Sequence, residues 1–290
     1  MNEPSPRRSG GAAEEWAGEG RGAEPGRWYT TNLVGLPVGL LGSPAFNAHP
    51  QPITIAGVRE THRGLFRLLD TAGDLPAASA VFRHFMEIVF GLAPPEPGTR
   101  SNPRGRHRSS YLKLLQGWGL DSNSAAGAVL KGWAESRFGL VPTFHKAPLG
   151  RFPSPAWITY IEEKGSSRFH NNCIHQQLDL LYEYCQWAIA RFGQPARDFI
   201  TLWRGVNDFS EQRVIAGDRR DRACVLRLNN VVSFSTSRDR ADEFGDWILE
   251  ARVPTVKILF FPGLLPGSAL AGEGEVLVIG GEYEVVARYA

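Results

Sequence analysis

Apolar residues follow two different rhythms along this 290-residue chain. From about Arg59 to Phe192 they recur every three to four positions, the period of helices with one buried face. Leu75–Phe90 sets Val81, Phe82, Phe85 and Val89 on one stripe, and shorter helices are predicted over Ser110–Gln116 and Ser124–Arg137. The longest helix is predicted from Asn171 to Phe192. There Ile174, Leu178, Leu181, Cys185, Ala188 and Phe192 step by 4, 3, 4, 3 and 4, and Gly193 ends the run. Its His175 reads as a solvated or capped residue rather than a ligand. After Gly193 the period shortens to two. Strands are predicted over Phe199–Trp203, Cys224–Leu228, Val231–Phe234, Trp247–Val253, Val256–Phe261, Val276–Ile279 and Tyr283–Tyr289. In the last of these, Tyr283, Val285, Ala287 and Tyr289 share a face opposite Glu284 and Arg288. Helices followed by strands with short connections make an α+β fold. The predicted layout is one domain over 28–290, helical to residue 193 and β-rich from 194, or two lobes sharing a cleft.

Before this patterned region, residues 1–27 are rich in Gly, Glu, Arg, Pro and Ala, with Trp16 as the only aromatic before Trp28. Such a segment cannot bury enough apolar surface to offset its ordering entropy, so a disordered tail is expected. Order is expected from Trp28-Tyr29, with irregular, Gly- and Pro-dense chain to about Gln51. No apolar run approaches the length of a membrane span, and the N-terminus lacks the apolar core of a secretion signal. Three cysteines without a CxxC pair read as reduced thiols. Together these predict a cytoplasmic protein. The net charge of +2 argues against a polyanion binder. The basic run from Arg100 to Arg108 reads as a solvated loop, a dock for an acidic protein or, less well without interleaved aromatics, a nucleic-acid contact. Asp218–Arg222 alternates in sign and reads as a solvated turn. No His, Cys and Asp spacing fits a metal site, so no catalytic metal is expected.

Three short stretches carry candidate chemistry. In Val231–Ser237, alternation puts Val232 and Phe234 on one face and Ser233, Ser235 and Ser237 on the other, either a row of hydroxyls facing a cleft or a half-exposed edge strand. Glu273-Gly274-Glu275 runs into the strand Val276–Ile279. Carboxylates at i and i+2 share a face with Cα atoms about 6.6–7 Å apart, either a solvated loop end or two coupled groups of different character. Arg204 ends a strand beside Gly205, where a guanidinium fork suits a phosphate or carboxylate and a missing Cβ lets a ligand approach the backbone.

Taken in order, Trp203-Arg204-Gly205, Phe234-Ser235-Thr236-Ser237 and Glu273-Gly274-Glu275-Val276 resemble the R-S-E class of mono-ADP-ribosyltransferases. Trp28-Tyr29-Thr30-Thr31-Asn32-Leu33, Phe169-His170-Asn171-Asn172-Cys173 and Leu202–Asn207 extend the resemblance. They are similar to the NAD–dinitrogenase-reductase ADP-ribosyltransferases of nitrogen-fixing bacteria. The resemblance implies NAD bound in a cleft between two roughly perpendicular sheets, without a Rossmann fold. In agreement, no GxGxxG follows a strand.

The resemblance further implies that Arg204 holds the NAD diphosphate and nicotinamide-ribose side, and that the Gly205 backbone meets the carboxamide. Ser235 would bond the ribose and position Glu275, with Thr236 and Ser237 bracing the strand. Glu275 would bond the ribose 2′-hydroxyl and stabilise the cationic sugar. Phe244, or Trp247 in its place, would stack on nicotinamide. Glu273 would draw a proton from an arginine acceptor, with the Pro262–Gly272 loop recognising the acceptor protein. The implied partners are dinitrogenase reductase as substrate and a PII signal protein as regulator docking on the helical part. A transferase or NAD glycohydrolase with another target, and a non-catalytic module of the same fold, remain as alternatives.

Overall fold

The computed structural model describes residues 32–92, 110–169, 172–193, 198–209, 212–217, 222–266 and 274–289. Several features named above lie outside the described residues: the 1–27 tail, Trp28–Thr31, the Arg100–Arg108 run, His170-Asn171, positions 218–221, positions 267–272 of the acceptor loop, and Glu273.

The helices of the N-terminal part are α1 (Val38–Leu41), α2 (Pro44–Ala48), α3 (Val58–Thr61), α4 (Arg63–Asp70), α5 (Leu75–Phe90), α6 (Tyr111–Leu120), α7 (Ala125–Phe138), α8 (Pro155–Ser166) and α9 (Asn172–Phe192). A small hairpin of β1 (Phe144–His145) and β2 (Ala147–Pro148) sits between α7 and α8. The boundaries follow local chemistry. Asp74, Ser110 and Ser124 accept hydrogen bonds from Ala77, Leu112 and Gly127 backbone nitrogens at the starts of α5, α6 and α7. Gly91 and Gly139 close α5 and α7 in left-handed conformation.

Two helical readings change in detail. The buried side of α5 is Ala78, Phe82 and Met86, so Val89, expected on the stripe, is 47% exposed. In α9 the predicted stripe is buried from Ile174 to Ala188 and partly buried at Phe192, yet residues 177 to 185 are buried without a break. The helix therefore runs through the interior, and its polar residues bind neighbouring chain. Gln177 accepts from the Tyr111 nitrogen at 2.9 Å, Asp179 from Trp133 Nε1 at 2.7 Å and from Arg137, and Glu183 from the Ile55 nitrogen and Arg59. Buried polar groups are tolerated when paired in this way.

The C-terminal strands are β3 (Phe199–Val206), β4 (Val214–Gly217), β5 (Ala223–Arg227), β6 (Val231–Ser235), β7 (Trp247–Pro254), β8 (Ile258–Phe260), β9 (Glu275–Ile279) and β10 (Glu282–Tyr289), with α10 (Arg238–Asp242) following β6. A 3-10 turn over Thr255–Lys257 replaces the start of the strand expected from Val256. All eight strands form one antiparallel sheet in the order β4-β5-β10-β7-β3-β6-β9-β8. This corrects the expectation of two roughly perpendicular sheets, because hydrogen bonding continues across the middle. The continuity there is thin: β3 and β6 join through the single pair Trp203↔Ser235, whereas β3 and β7 pair along eight residues. β6 is an inner strand, so the edge-strand reading of Val231–Ser237 also falls. One hydrophobic core cluster contains residues of both parts, from Val38 and Phe82 through Leu181 to Leu277 and Ala287.

Candidate functional site

The thin joint between β3 and β6 is where the candidate residues meet. Ser235 is register partner to Trp203 on one side and to Glu275 on the other. Positions far apart in sequence thus share one rung across three strands, about 10 Å at ~4.8 Å per strand, with Arg204 one residue along β3.

Alternation along β3 puts Arg204 on the face of buried Leu202 and Val206. Its Nη1 donates to the Ser233 carbonyl oxygen at 2.7 Å. Burial pushes the Arg204 guanidinium below its ordinary value while the Glu275 carboxylate opposes that shift. A guanidinium does not lose its proton in the physiological range, so it stays a partly desolvated cation, favoured by any anion that enters. Glu275 accepts a short hydrogen bond from Ser233 Oγ at 2.5 Å, and Ser233 Oγ in turn accepts from Trp118 Nε1 at 3.0 Å.

These groups line a cavity of about 390 Å³ between Trp118–Ser122, Trp203–Gly205, Ser233–Ser235, Ala241, Phe244 and Glu275. Trp203 Nε1 is buried there and has no hydrogen-bond partner among the described residues. A larger hollow of about 530 Å³ lies beyond the start of β6, around Arg227 and Asn230, and holds none of the motif residues. The smaller cavity holds the motif residues and combines a cation, hydroxyls, a carboxylate and the exposed Phe244, a set suited to a dinucleotide's diphosphate, ribose and base; the larger hollow has charged residues and Trp157 but none of the motif.

The Ser-Thr-Ser stretch ties elements together. Ser235 Oγ accepts from the Ser237 nitrogen at 3.1 Å, and Ser237 caps α10 through the Arg240 nitrogen. Thr236 nitrogen donates to the Gly274 carbonyl at 3.2 Å. Gly274 has φ +65°, a left-handed conformation immediately before Glu275 that a side chain would strain. Gly205 lines the cavity, and its missing Cβ is also required for packing. A β-carbon there would lie 2.0 Å from the Ala241 carbonyl oxygen, so α10 fills the space.

Of the two aromatic candidates, Phe244 lines the cavity and is 57% exposed. Trp247 instead stacks on Phe209 at 5.4 Å and meets Tyr289 edge-on at 5.5 Å, away from the cavity lining. Sequence reasoning placed Ser233 on the hydroxyl face but gave it no role, and it missed Trp118 and Asp121 in the cavity wall. Parity with Ser235 could have raised Ser233. Nothing in the local sequence links Trp118 to a strand 115 residues away. Among the described residues no group of three or more His, Cys, Asp or Glu side chains is placed to hold a metal, and no helix is long and apolar enough to cross a membrane.

Comparison with known proteins gives the family. The family described as dinitrogenase reductase ADP-ribosyltransferase (DRAT) matches residues 31–287. An NAD(+)–dinitrogen-reductase ADP-D-ribosyltransferase of Rhodospirillum rubrum is 56% identical over 269 residues, covering 91% of this chain and 97% of that relative. No solved structure matches the chain.

Proposed function

The chain belongs to the dinitrogenase reductase ADP-ribosyltransferase family, enzymes that move ADP-ribose from NAD to dinitrogenase reductase, and we propose that Arg204, Ser235 and Glu275 form its catalytic centre. One observation carries this assignment: the Trp203–Ser235–Glu275 rung, with Arg204 bonded to Ser233 beside the same carboxylate.

In this reading Arg204 binds the NAD diphosphate, for which a desolvated guanidinium is suited. Ser235 contacts the nicotinamide ribose with Thr236 bracing the strand beside it, the Gly205 backbone meets the carboxamide, and Phe244 stacks on the nicotinamide ring. Glu275 bonds the ribose 2′-hydroxyl and stabilises positive charge at C1′ as the glycosidic C–N bond breaks and its electron pair leaves with neutral nicotinamide. An arginine guanidinium of the acceptor then forms the new C1′–N bond. That guanidinium is protonated and has no free lone pair suited to attack, so a base must take its proton. Glu273, two residues before Glu275, is assigned that role by its place in the motif. ADP-ribose on a surface arginine replaces a cation with a bulky anionic group and would block docking of a redox partner, a reversible off-switch for nitrogen fixation.

Residues 28–290 working as one catalytic unit, a cytoplasmic location, and control by a PII signal protein docking on the helical part belong to the same proposal. The last two rest on the signals and resemblance read from the sequence.

The test is transfer of labelled ADP-ribose from NAD to purified dinitrogenase reductase. Glu275→Gln should lower transfer by about 10²–10³-fold, the usual cost of one preorganised transition-state contact, while its melting curve stays cooperative. Glu273→Gln should lose transfer to arginine but keep measurable NAD hydrolysis. Wild-type transfer by Glu275→Gln would overturn the catalytic assignment; wild-type transfer by Glu273→Gln, or label on another residue type, would overturn the acceptor assignment.

A further inference from the structure

Ser233 lies outside the Arg-Ser-Glu trio, yet it contacts two of its members. Its carbonyl oxygen holds Arg204 Nη1 at 2.7 Å and its hydroxyl reaches Glu275 Oε1 at 2.5 Å. The chemistry of the three side chains fixes the direction of the second contact. An indole N–H can only donate and a carboxylate can only accept, while a serine hydroxyl has one proton and can do both. Trp118 Nε1, 3.0 Å from Ser233 Oγ, occupies a lone pair of that oxygen, and the single hydroxyl proton then points to Glu275. The carboxylate is held by a rotor that the indole has locked.

The indole itself is fixed. Trp118 is buried on α6 with Leu114 and Leu115, and the first turn of α6 is fastened to the central helix where the Tyr111 nitrogen donates to Gln177 Oε1 at 2.9 Å. We infer that Trp118 and Ser233 are positioning residues for Glu275, forming a one-way chain of hydrogen bonds that lets the helical part set the orientation of the carboxylate. This rests on Glu275 being the catalytic carboxylate. A preorganised group adds more to the transition state than to substrate binding, so loss of the chain should appear in kcat rather than in KM.

Trp118→Phe keeps the ring and removes the N–H; Ser233→Ala removes the hydroxyl and leaves the carbonyl that holds Arg204. In the full chain, with NAD and dinitrogenase reductase, each should lower kcat by about 10- to 100-fold, less than direct loss of a contact, with KM for NAD within about threefold of wild type. Residues acting through one shared bond do not add. The double variant should therefore be no slower than Ser233→Ala within about twofold, and neither change should matter further in a Glu275→Gln background. Wild-type kcat in folded Ser233→Ala would overturn the inference, as would a double variant whose loss is the product of the two single losses. If Trp118→Phe fails to fold, Ser233→Ala alone decides by its kcat and KM. If Glu275→Gln itself keeps wild-type activity, the catalytic assignment fails first; if Glu275→Gln is impaired and the other two variants keep wild-type kcat, only the positioning chain fails.

Discussion

Lys257 is fully buried, and its ammonium nitrogen has no hydrogen-bond partner among the described residues. The faces of Tyr283 and Phe46, 5.0 and 5.3 Å away, offset only part of the lost hydration. Burial lowers this lysine from 10.5 to about 7. Between those two values the unfolded chain binds the extra proton and the folded chain does not, so stability rises with pH across the window, by up to ~1.4 kcal/mol per unit. Below about pH 7 both states are protonated and the penalty is present in full. Lys257→Met should raise the urea midpoint at pH 7 and flatten its rise between pH 7 and 9; an unchanged slope would show that another group carries it. Lys131, lowered by burial to about 8, contributes with the same sign and remains in that variant. At this scale the motif residues were legible because each sits in a recognisable tripeptide. Trp118 was not, because what gives it a role is a bond to a distant strand.

The elements were legible in proportion to their length and periodicity. α5, α7 and α9 appear close to the expected limits because caps and long apolar periods define them locally. The short α1 and α2 were read as irregular chain, and the four-residue β4 was not predicted, because elements this short hold through tertiary contacts rather than a repeat. The unbroken burial of residues 177 to 185 in α9 was hidden for a related reason. Gln177, Asp179 and Glu183 look like a solvated face until their partners are known. The contact between β3 and α10 yields a prediction at this scale. Gly205→Ala drives a methyl group into the Ala241 carbonyl, and α10 cannot easily retreat because Ser237 caps it. A loss of about 1–3 kcal/mol in urea unfolding is expected from overpacking, together with weaker NAD binding as the Phe244 side of the cavity shifts.

For the molecule as a whole, the helical part and the sheet share one core cluster, and α9 touches both. Heat should therefore unfold residues 28–290 in a single transition, coincident by far-UV circular dichroism and tryptophan fluorescence. Two separated transitions would show that the helical part and the sheet are independent units. A shared core also explains how a side chain from α6 comes to act on a carboxylate in β9.

By itself the sequence determined the class of fold, the ends of the long helices, and the three motif stretches with their chemistry, since period, capping and residue type are properties of neighbouring positions. Tertiary structure alone decided that the strands form one sheet, that β3 and β6 meet at a single pair, that Phe244 rather than Trp247 faces the cavity, and that Trp118 and Ser233 stand behind Glu275. Strand order and packing of distant elements come from which apolar faces can be buried together, a condition on the whole chain that no local window contains.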